Sequence, residues 1–159
     1  MDMLVKLYSL PSLEAEKKKM EERGYRIVRA LPPNRISIVE WVKKHSSIYA
    51  ASEAECCFSP GKAPTIFIAL KGDEMVGYAC YNATAPDFFG PMRVKDEEQC
   101  NGVGRALLLH ALYALKEEGY AYAIIGSVGP TAFYEKSVNA IVIPDSTPGI
   151  YKSMFKVKV

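Results

Sequence analysis

The sequence predicts one α/β domain in which a mixed, mostly antiparallel sheet of six or seven strands is flanked by helices. Short apolar, β-prone segments alternate with helical segments, and no repeat, low-complexity tract or linker divides the chain. The 159 residues, 49% of them hydrophobic, suffice for one well-formed core and are too few for two typical domains. We therefore expect a single domain over residues 1–159.

The beginning of the chain is predicted to contain two strands with a helix between them. Apolar and polar residues alternate over residues 3–10, which is typical of a strand with one buried face. Residues 13–23 are mostly charged, with apolar side chains only at Leu13 and Met20, so the helix that they predict is largely solvated. Residues 25–31 predict the second strand.

A second helix is predicted after a pair of prolines. Asn34 is a good N-cap for this helix, which we expect to bury Ile36, Val39 and Trp41. Residues 45–64 are compatible with further helical turns, but their pattern is too weak to place an element.

The second half of the chain is patterned more clearly. Residues 65–70 and 75–81 are apolar and β-prone and predict an antiparallel hairpin. Residues 88–94 predict another strand, in which Gly90 and Pro91 favour a bulge or a splayed strand over a central ladder. A long helix with a broad apolar face is predicted at residues 103–118, and a strand follows at residues 120–126. A short helix is predicted at residues 131–137, and two more strands are predicted at residues 140–143 and from about Ile150.

Charge and cysteine content argue against several classes of protein. Twenty basic and 18 acidic side chains give a net charge of +2. This charge is too small to indicate binding to nucleic acid or to a membrane surface. No apolar stretch approaches the roughly 20 residues of a membrane span, and the N-terminus lacks a signal-peptide pattern. The four cysteines show neither zinc-ligand nor disulfide spacing, so we expect no metal and a cytoplasmic location.

Residues 99–105 read Gln-Cys-Asn-Gly-Val-Gly-Arg and lie between a predicted strand and the long apolar helix. The two glycines let backbone amides approach an anion without interference from a Cβ atom. The unpaired N–H groups of a helix's first turn bind phosphate oxygens. The segment therefore predicts a pyrophosphate-binding loop. Arg105, Arg93 or Lys95 would add a cation, unless each is an ordinary surface charge.

Two commoner phosphate-binding loops do not fit. No Lys-Ser or Lys-Thr follows the second glycine, as a nucleotide P-loop requires. Leu107 occupies the third glycine position of a dinucleotide fingerprint.

The loop resembles the cofactor loop of the GNAT superfamily of N-acetyltransferases, which reads Gln/Arg-x-x-Gly-x-Gly/Ala. Gln99, Gly102 and Gly104 match its three fixed positions. A second similarity is the sequence Phe-Tyr-Glu-Lys at residues 133–136, which family members carry on the helix after the fifth strand. The resemblance is clearest over residues 65–143. It implies a sheet that splays between its fourth and fifth strands, where the pantetheine arm of acetyl-CoA is held.

The resemblance implies an N-acetyltransferase that uses acetyl-CoA as a co-substrate and an amine as acceptor, by direct attack in a ternary complex. Its implied catalytic residue is Tyr134, which would protonate the departing thiolate. Ser127 stands where family members often carry an asparagine that binds pantetheine, so only backbone contacts are expected there. The implied cofactor contacts are Met92, Arg93, Val94, Gln99, Cys100, Asn101, Gly102, Val103, Gly104, Arg105, Ser127, Gly129 and Phe133.

The general base and the acceptor are left open by the sequence. Asp87, Glu53 and Glu55 are the candidate carboxylates, with a backbone carbonyl or a water chain as alternatives. The acceptor site is expected between the N-terminal helices and residues 144–151, and its ligand is a small-molecule or peptide amine. A homodimer is compatible with the resemblance. The rival functions are a non-catalytic acyl-CoA-binding or regulatory domain and a structural subunit.

Overall fold

The computed structural model describes residues 1–158, which form one seven-stranded sheet and five α-helices. The strands are β1 (Met3–Lys6), β2 (Tyr25–Arg29), β3 (Ile66–Lys71), β4 (Glu74–Tyr81), β5 (Phe88–Val94), β6 (Tyr122–Ile125) and β7 (Ile141–Val142). The helices are α1 (Leu13–Glu22), α2 (Arg35–His45), α3 (Ile48–Cys56), α4 (Val103–Glu117) and α5 (Thr131–Val138). Across residues 1–158, no helix has the length and apolar character needed to cross a membrane.

The sheet has the strand order β2-β3-β4-β5-β6-β1-β7. Every neighbouring pair is antiparallel except β5 and β6, which run parallel. The predicted mixed, mostly antiparallel sheet is therefore confirmed, with seven strands. The hairpin of β3 and β4 is also confirmed.

The N-terminal strand lies inside the sheet and not at its edge. Met3 pairs with Ile125 of β6 on one side and with Val142 of β7 on the other. Both pairings join residues more than a hundred positions apart. As a consequence, the residues just before β1 lie next to the loop that follows β6, where Val128 N–H donates to the Met1 carbonyl.

The sheet splits between β5 and β6. β5 pairs with β4 at Phe89 and again from Met92 to Val94, with an irregularity between them, but it pairs with β6 only at Phe88 and Phe89. The two strands diverge at the cis Gly90-Pro91 peptide. The splay expected for residues 88–94 is therefore present.

Helices cover both faces of the sheet because its strands alternate between two apolar clusters. On β4, Ala79 and Tyr81 belong to the cluster around α4, and Tyr78 and Cys80 belong to the cluster under α2 and α3. This period of two is the one expected for a strand buried on both faces. Helix α4 is apolar nearly all round and forms the centre of the larger cluster.

Three expectations about local structure were wrong. The first strand ends at Lys6 and continues as a 3₁₀ turn, and the last segment forms a 3₁₀ helix, Gly149–Ser153, in place of a strand. Helix α2 buries Ile38 and Val42, which are four residues apart on one face, whereas Ile36 is 64% exposed.

The weakly patterned region, in which the sequence placed no element, contains α3, whose N-terminus is capped by the side chain of Ser47.

Candidate active site

A cavity of about 480 Å³ lies beside β5, where that strand has left β6. Its walls come from β5, from the loop before α4 and from the first turns of α4 and α5. Pro130 also contributes to the wall. The predicted site residues that line it are Met92, Arg93, Val94, Gln99, Cys100, Gly102, Gly104, Arg105, Phe133 and Tyr134.

Gly102 is the N-cap of α4 and has a left-handed backbone, with φ of +85°. A Cβ atom here would also lie 3.0 Å from Arg23 Nη1 and 3.3 Å from Met20 Cε. Arg23 donates to the carbonyl of Asn101 at 2.6 Å, so the end of α1 braces the loop. Both conformation and space therefore require glycine at this position.

Gly104 lies in the first turn of α4 and faces the cavity. A Cβ atom at Gly104 would lie 3.3 Å from Met92 Cε and 3.6 Å from Phe133 Cζ, so a side chain there would fill the groove. The first N–H groups of a helix have no partner within the helix, and the helix dipole makes this end positive. The loop thus presents backbone donors to the cavity, as an anion site requires.

The three candidate cations all have acidic partners. Arg105 pairs with Glu16, and Arg93 pairs with Asp96 at 2.9 Å. Lys95 pairs with Glu74 at 2.6 Å and does not line the cavity. Backbone N–H groups are therefore the principal groups that the loop could offer to an anion, and the guanidinium groups of Arg93 and Arg105 add positive charge that their partners partly offset.

The other loop residues have structural contacts. Gln99 Nε2 donates to the Val94 carbonyl at 3.3 Å, which closes the turn from β5 into the loop. Asn101 Nδ2 donates to the Tyr25 hydroxyl at 3.0 Å, and Asn101 lines a separate shallow depression beside Arg23. Val103 is buried in the core.

The edge of β5 that faces the cavity is unpaired within residues 1–158 from Gly90 onward, because β6 pairs only with Phe88 and Phe89. An unpaired strand edge offers alternating N–H and C=O groups to an extended ligand. Met92 to Val94 therefore present a backbone edge that is suited to a chain containing amide groups.

Tyr134 lies on α5 where the first cavity meets a second one. Its side chain packs edge-to-face against Phe133 and Phe89, with ring centroids 5.0 Å and 6.3 Å apart. Burial raises the pKa of Tyr134 to about 12. The hydroxyl is therefore neutral, and a proton donor, at any physiological pH.

The second cavity has a volume of about 380 Å³ and shares Met92, Pro130 and Tyr134 with the first. Its other walls come from α3, from the loop after β6 and from the C-terminal 3₁₀ helix. Ser127 and Gly129, which were expected to contact the cofactor, line this second cavity and not the first.

Of the three carboxylates that are candidates for the general base, one lines a cavity. Glu53 on α3 lines the second cavity and accepts a hydrogen bond from the Thr84 hydroxyl. Glu55 pairs with Arg35 at 2.8 Å on the exposed side of the same helix. Asp87 lines neither cavity; its burial and the nearby Glu118 carboxylate raise the pKa of Asp87 to about 6.

Within residues 1–158, no three His, Cys, Asp or Glu side chains cluster closely enough to hold a metal ion.

The family model described as the acetyltransferase (GNAT) domain matches residues 62–137, a range that includes the glycine loop and Tyr134. Over these residues the chain is similar to a GNAT acetyltransferase domain. The resemblance seen in the sequence is thereby confirmed. No curated protein is similar enough in sequence to match the chain.

Solved structures share the GNAT fold at low sequence identity. One is the GCN5-related glucosamine N-acetyltransferase region of a fungal multi-domain GH3 β-N-acetylglucosaminidase, with a TM-score of 0.69 and 14% identity over 86% of this chain and 19% of that one. Another is a GCN5-related N-acetyltransferase from Sphaerobacter thermophilus, with a TM-score of 0.62 and 15% identity over 89% of this chain and 47% of that one. The chain thus spans less than half the length of either protein.

Proposed function

We propose that the protein is an N-acetyltransferase that moves the acetyl group of acetyl-CoA to an amine by direct attack in a ternary complex. The observation that carries this proposal is the meeting of two cavities at Tyr134. One cavity has a helix N-terminus and a free strand edge, and the other has a carboxylate. A domain that only binds acyl-CoA has no need of the second cavity.

The first cavity fits the chemistry of acetyl-CoA. The first turn of α4 offers backbone N–H groups to the pyrophosphate, at a place where a side chain on Gly104 would obstruct it. The free edge of β5 at Met92 to Val94 is suited to the two amides of pantetheine. With the pyrophosphate at α4 and pantetheine along β5, the thioester would lie near Tyr134.

When bound, acetyl-CoA supplies an activated acyl group whose leaving group is a thiolate. Tyr134 would donate a hydrogen bond to the sulfur as the C–S bond breaks. An ordinary thiol has a pKa of about 8.5, so full proton transfer from a phenol of pKa about 12 is uphill by roughly 5 kcal/mol. Tyr134 therefore stabilises the thiolate chiefly by hydrogen bonding, and the proton released by the amine completes the exchange.

Calorimetric titration of acetyl-CoA tests the first half of the proposal. Gly104→Glu would place a carboxylate at the pyrophosphate position and should weaken binding by at least about tenfold, because like charges in contact cost several kcal/mol. Ala121→Glu is the matched control, since it adds the same charge at an exposed position beyond the opposite end of α4.

The wild type and the control should bind acetyl-CoA equally. Absence of binding by the wild type would contradict the proposal. Binding without turnover of any amine would favour the non-catalytic acyl-CoA-binding domain.

A further inference from the structure

The second cavity carries a charge pattern that bears on the acceptor. Among the residues that line it within the described chain, Glu53 is the only one with a charged side chain. A second carboxylate lies directly behind the wall, where Asp2 is 8% exposed and accepts the Ser127 N–H at 2.9 Å. Ser127 itself lines the cavity. The charged side chains in and directly behind this wall are therefore acidic, with no basic side chain in the wall.

Glu53 is oriented by its neighbours. The Thr84 hydroxyl donates to Oε2 of Glu53. A carboxylate accepts through both oxygens, so Oε1 retains its capacity to accept a hydrogen bond from a ligand. Burial is the main cause that raises the pKa of Tyr151; a hydrogen bond with Thr84 lowers it, and the nearby charges of Glu53 and Asp2 raise it.

The walls around this carboxylate are aromatic and apolar. Tyr49 and Phe89 line the cavity from α3 and β5, and Tyr151 closes it from the C-terminal 3₁₀ helix. Tyr151 packs so closely against Gly126 that a Cβ atom there would collide with the Tyr151 hydroxyl. The volume of about 380 Å³ and these rings suit a small molecule with an apolar or aromatic body.

We propose that the acceptor is a small primary amine, with an aromatic or apolar body and no carboxylate or phosphate beside the amine, whose ammonium group binds Glu53. This assignment rests on the proposed acetyltransferase function. An ammonium group gains a charged hydrogen bond from Glu53. A carboxylate on the same molecule would face Glu53 and Asp2 with no basic side chain in the wall to compensate it.

Glu53 is also placed to begin the reaction. The bound ammonium group transfers one proton to Glu53, directly or through water, and the neutral nitrogen attacks the acetyl carbon. The C–N bond forms and the C–S bond breaks, and the nitrogen loses its second proton, which ends on the sulfur of coenzyme A. Glu53 then returns its proton to solvent, so the net products are the amide, the free thiol and one proton.

The test compares acceptors that differ by one carboxylate. Release of the free thiol is measured with tyramine against tyrosine and with histamine against histidine, and glucosamine and spermidine represent the other amine classes. We expect the kcat/KM of each amine to exceed that of its amino acid by at least about tenfold, because the amino acid brings a carboxylate beside Glu53. At least one of the two amines should also exceed glucosamine and spermidine.

Glu53→Gln keeps the shape of the side chain and removes its charge. It should lower kcat/KM for the preferred amine by about 10²-fold, with the affinity for acetyl-CoA unchanged. Glu55→Gln is the matched control, since Glu55 lies on the same helix and pairs with Arg35 away from the cavity. Its kcat/KM should equal that of the wild type.

Two sets of outcomes separate the proposals. Equal or better turnover of the amino acids, of glucosamine or of spermidine, no turnover despite acetyl-CoA binding, or full activity of Glu53→Gln would overturn the acceptor assignment alone. Failure of the wild type to bind acetyl-CoA in the calorimeter would overturn the proposed function itself.

Discussion

The chemistry of Tyr134 is set by its burial at the junction of the two cavities. Because burial raises the pKa of Tyr134 to about 12, its hydroxyl stays protonated well above the usual range of a phenol. The activity of the wild type should therefore show no alkaline decline up to about pH 10.5, whereas an exposed tyrosine would already be half deprotonated at about pH 10. A pH profile of kcat checks this, and a decline centred near pH 10 would contradict it.

Tyr134→Phe removes the donor and keeps the ring. We expect kcat to fall by about 10²-fold with little change in the affinity for acetyl-CoA, as is typical for loss of a proton donor. Tyr113→Phe is the control, since that hydroxyl donates to the Pro11 carbonyl at 2.8 Å, outside both cavities. An undiminished kcat in Tyr134→Phe would show that this hydroxyl takes no part in the reaction.

The negative charge of the Asp87 carboxylate lowers the stability of the folded protein. Its buried Oδ1 has no hydrogen-bond partner within residues 1–158, and burial and Glu118 raise the pKa of Asp87 to about 6. In the unfolded chain this carboxyl loses its proton near pH 3.9. The free energy of unfolding is therefore lowered above pH 6, and it recovers as the pH falls from 6 toward 4 and the native carboxyl takes up its proton. The carboxylate therefore destabilises the protein at neutral pH.

Asp87→Asn should raise the stability at pH 7.5 by about 1 kcal/mol, or roughly 3 °C in Tm for a chain of this size. Asparagine also tolerates the left-handed backbone of this position, where φ is +64°. The gain should shrink at pH 5, where the native carboxyl is mostly protonated. Thermal unfolding at the two pH values measures it, and a gain that is equal at both would show that charge is not the cause.

At the scale of the element, the loop before α4 depends on a glycine for its shape. Gly102→Ala should cost about 1–2 kcal/mol of stability, because a non-glycine residue in the left-handed region is strained. It should also weaken acetyl-CoA binding by displacing Arg23 and the loop.

Gly119→Ala separates the two effects. Gly119 also has a positive φ, of +102°, but it lies at the other end of α4 with open space around it. This variant should lose stability and keep its affinity for acetyl-CoA. If both variants bound acetyl-CoA like the wild type, the loop geometry would not matter for binding.

The elements around the loop were predictable because their signals are local. The glycines, the apolar face of α4 and the Phe-Tyr pair on α5 stand close together in the sequence, and the site forms where they meet. The sequence named Glu53 as one of three candidate bases but could not separate it from Glu55 and Asp87, because its place in the second cavity depends on how α3 packs over the sheet. Its immediate sequence is small and weakly patterned, and the Thr84 hydroxyl that holds it lies 31 residues away.

The strand that was wrongly predicted at the end of the chain has a similar physical explanation. The β-prone residues from Ile150 onward favour a strand in isolation, but β1 already occupies the place beside β6 that a late strand would take. The final segment instead packs Tyr151 over Gly126 and closes the second cavity. Tertiary competition for one sheet position therefore overrode local propensity.

At the scale of the whole molecule, the order of the strands brings distant parts of the chain to one site. The N-terminal strand lies between β6 and β7, so that Asp2 holds the Ser127 N–H behind the second cavity. Strand β5 and the loop before α4 form the first cavity on the opposite side of Tyr134. The split in the sheet is what allows the two cavities to meet.

A crystal structure of the protein with acetyl-CoA tests this arrangement most directly. We expect the pyrophosphate against the first turn of α4, pantetheine paired with β5 at Met92 to Val94, and the thioester sulfur within about 3.5 Å of the Tyr134 hydroxyl, facing the second cavity. Acetyl-CoA bound elsewhere, or with its sulfur distant from Tyr134, would contradict it.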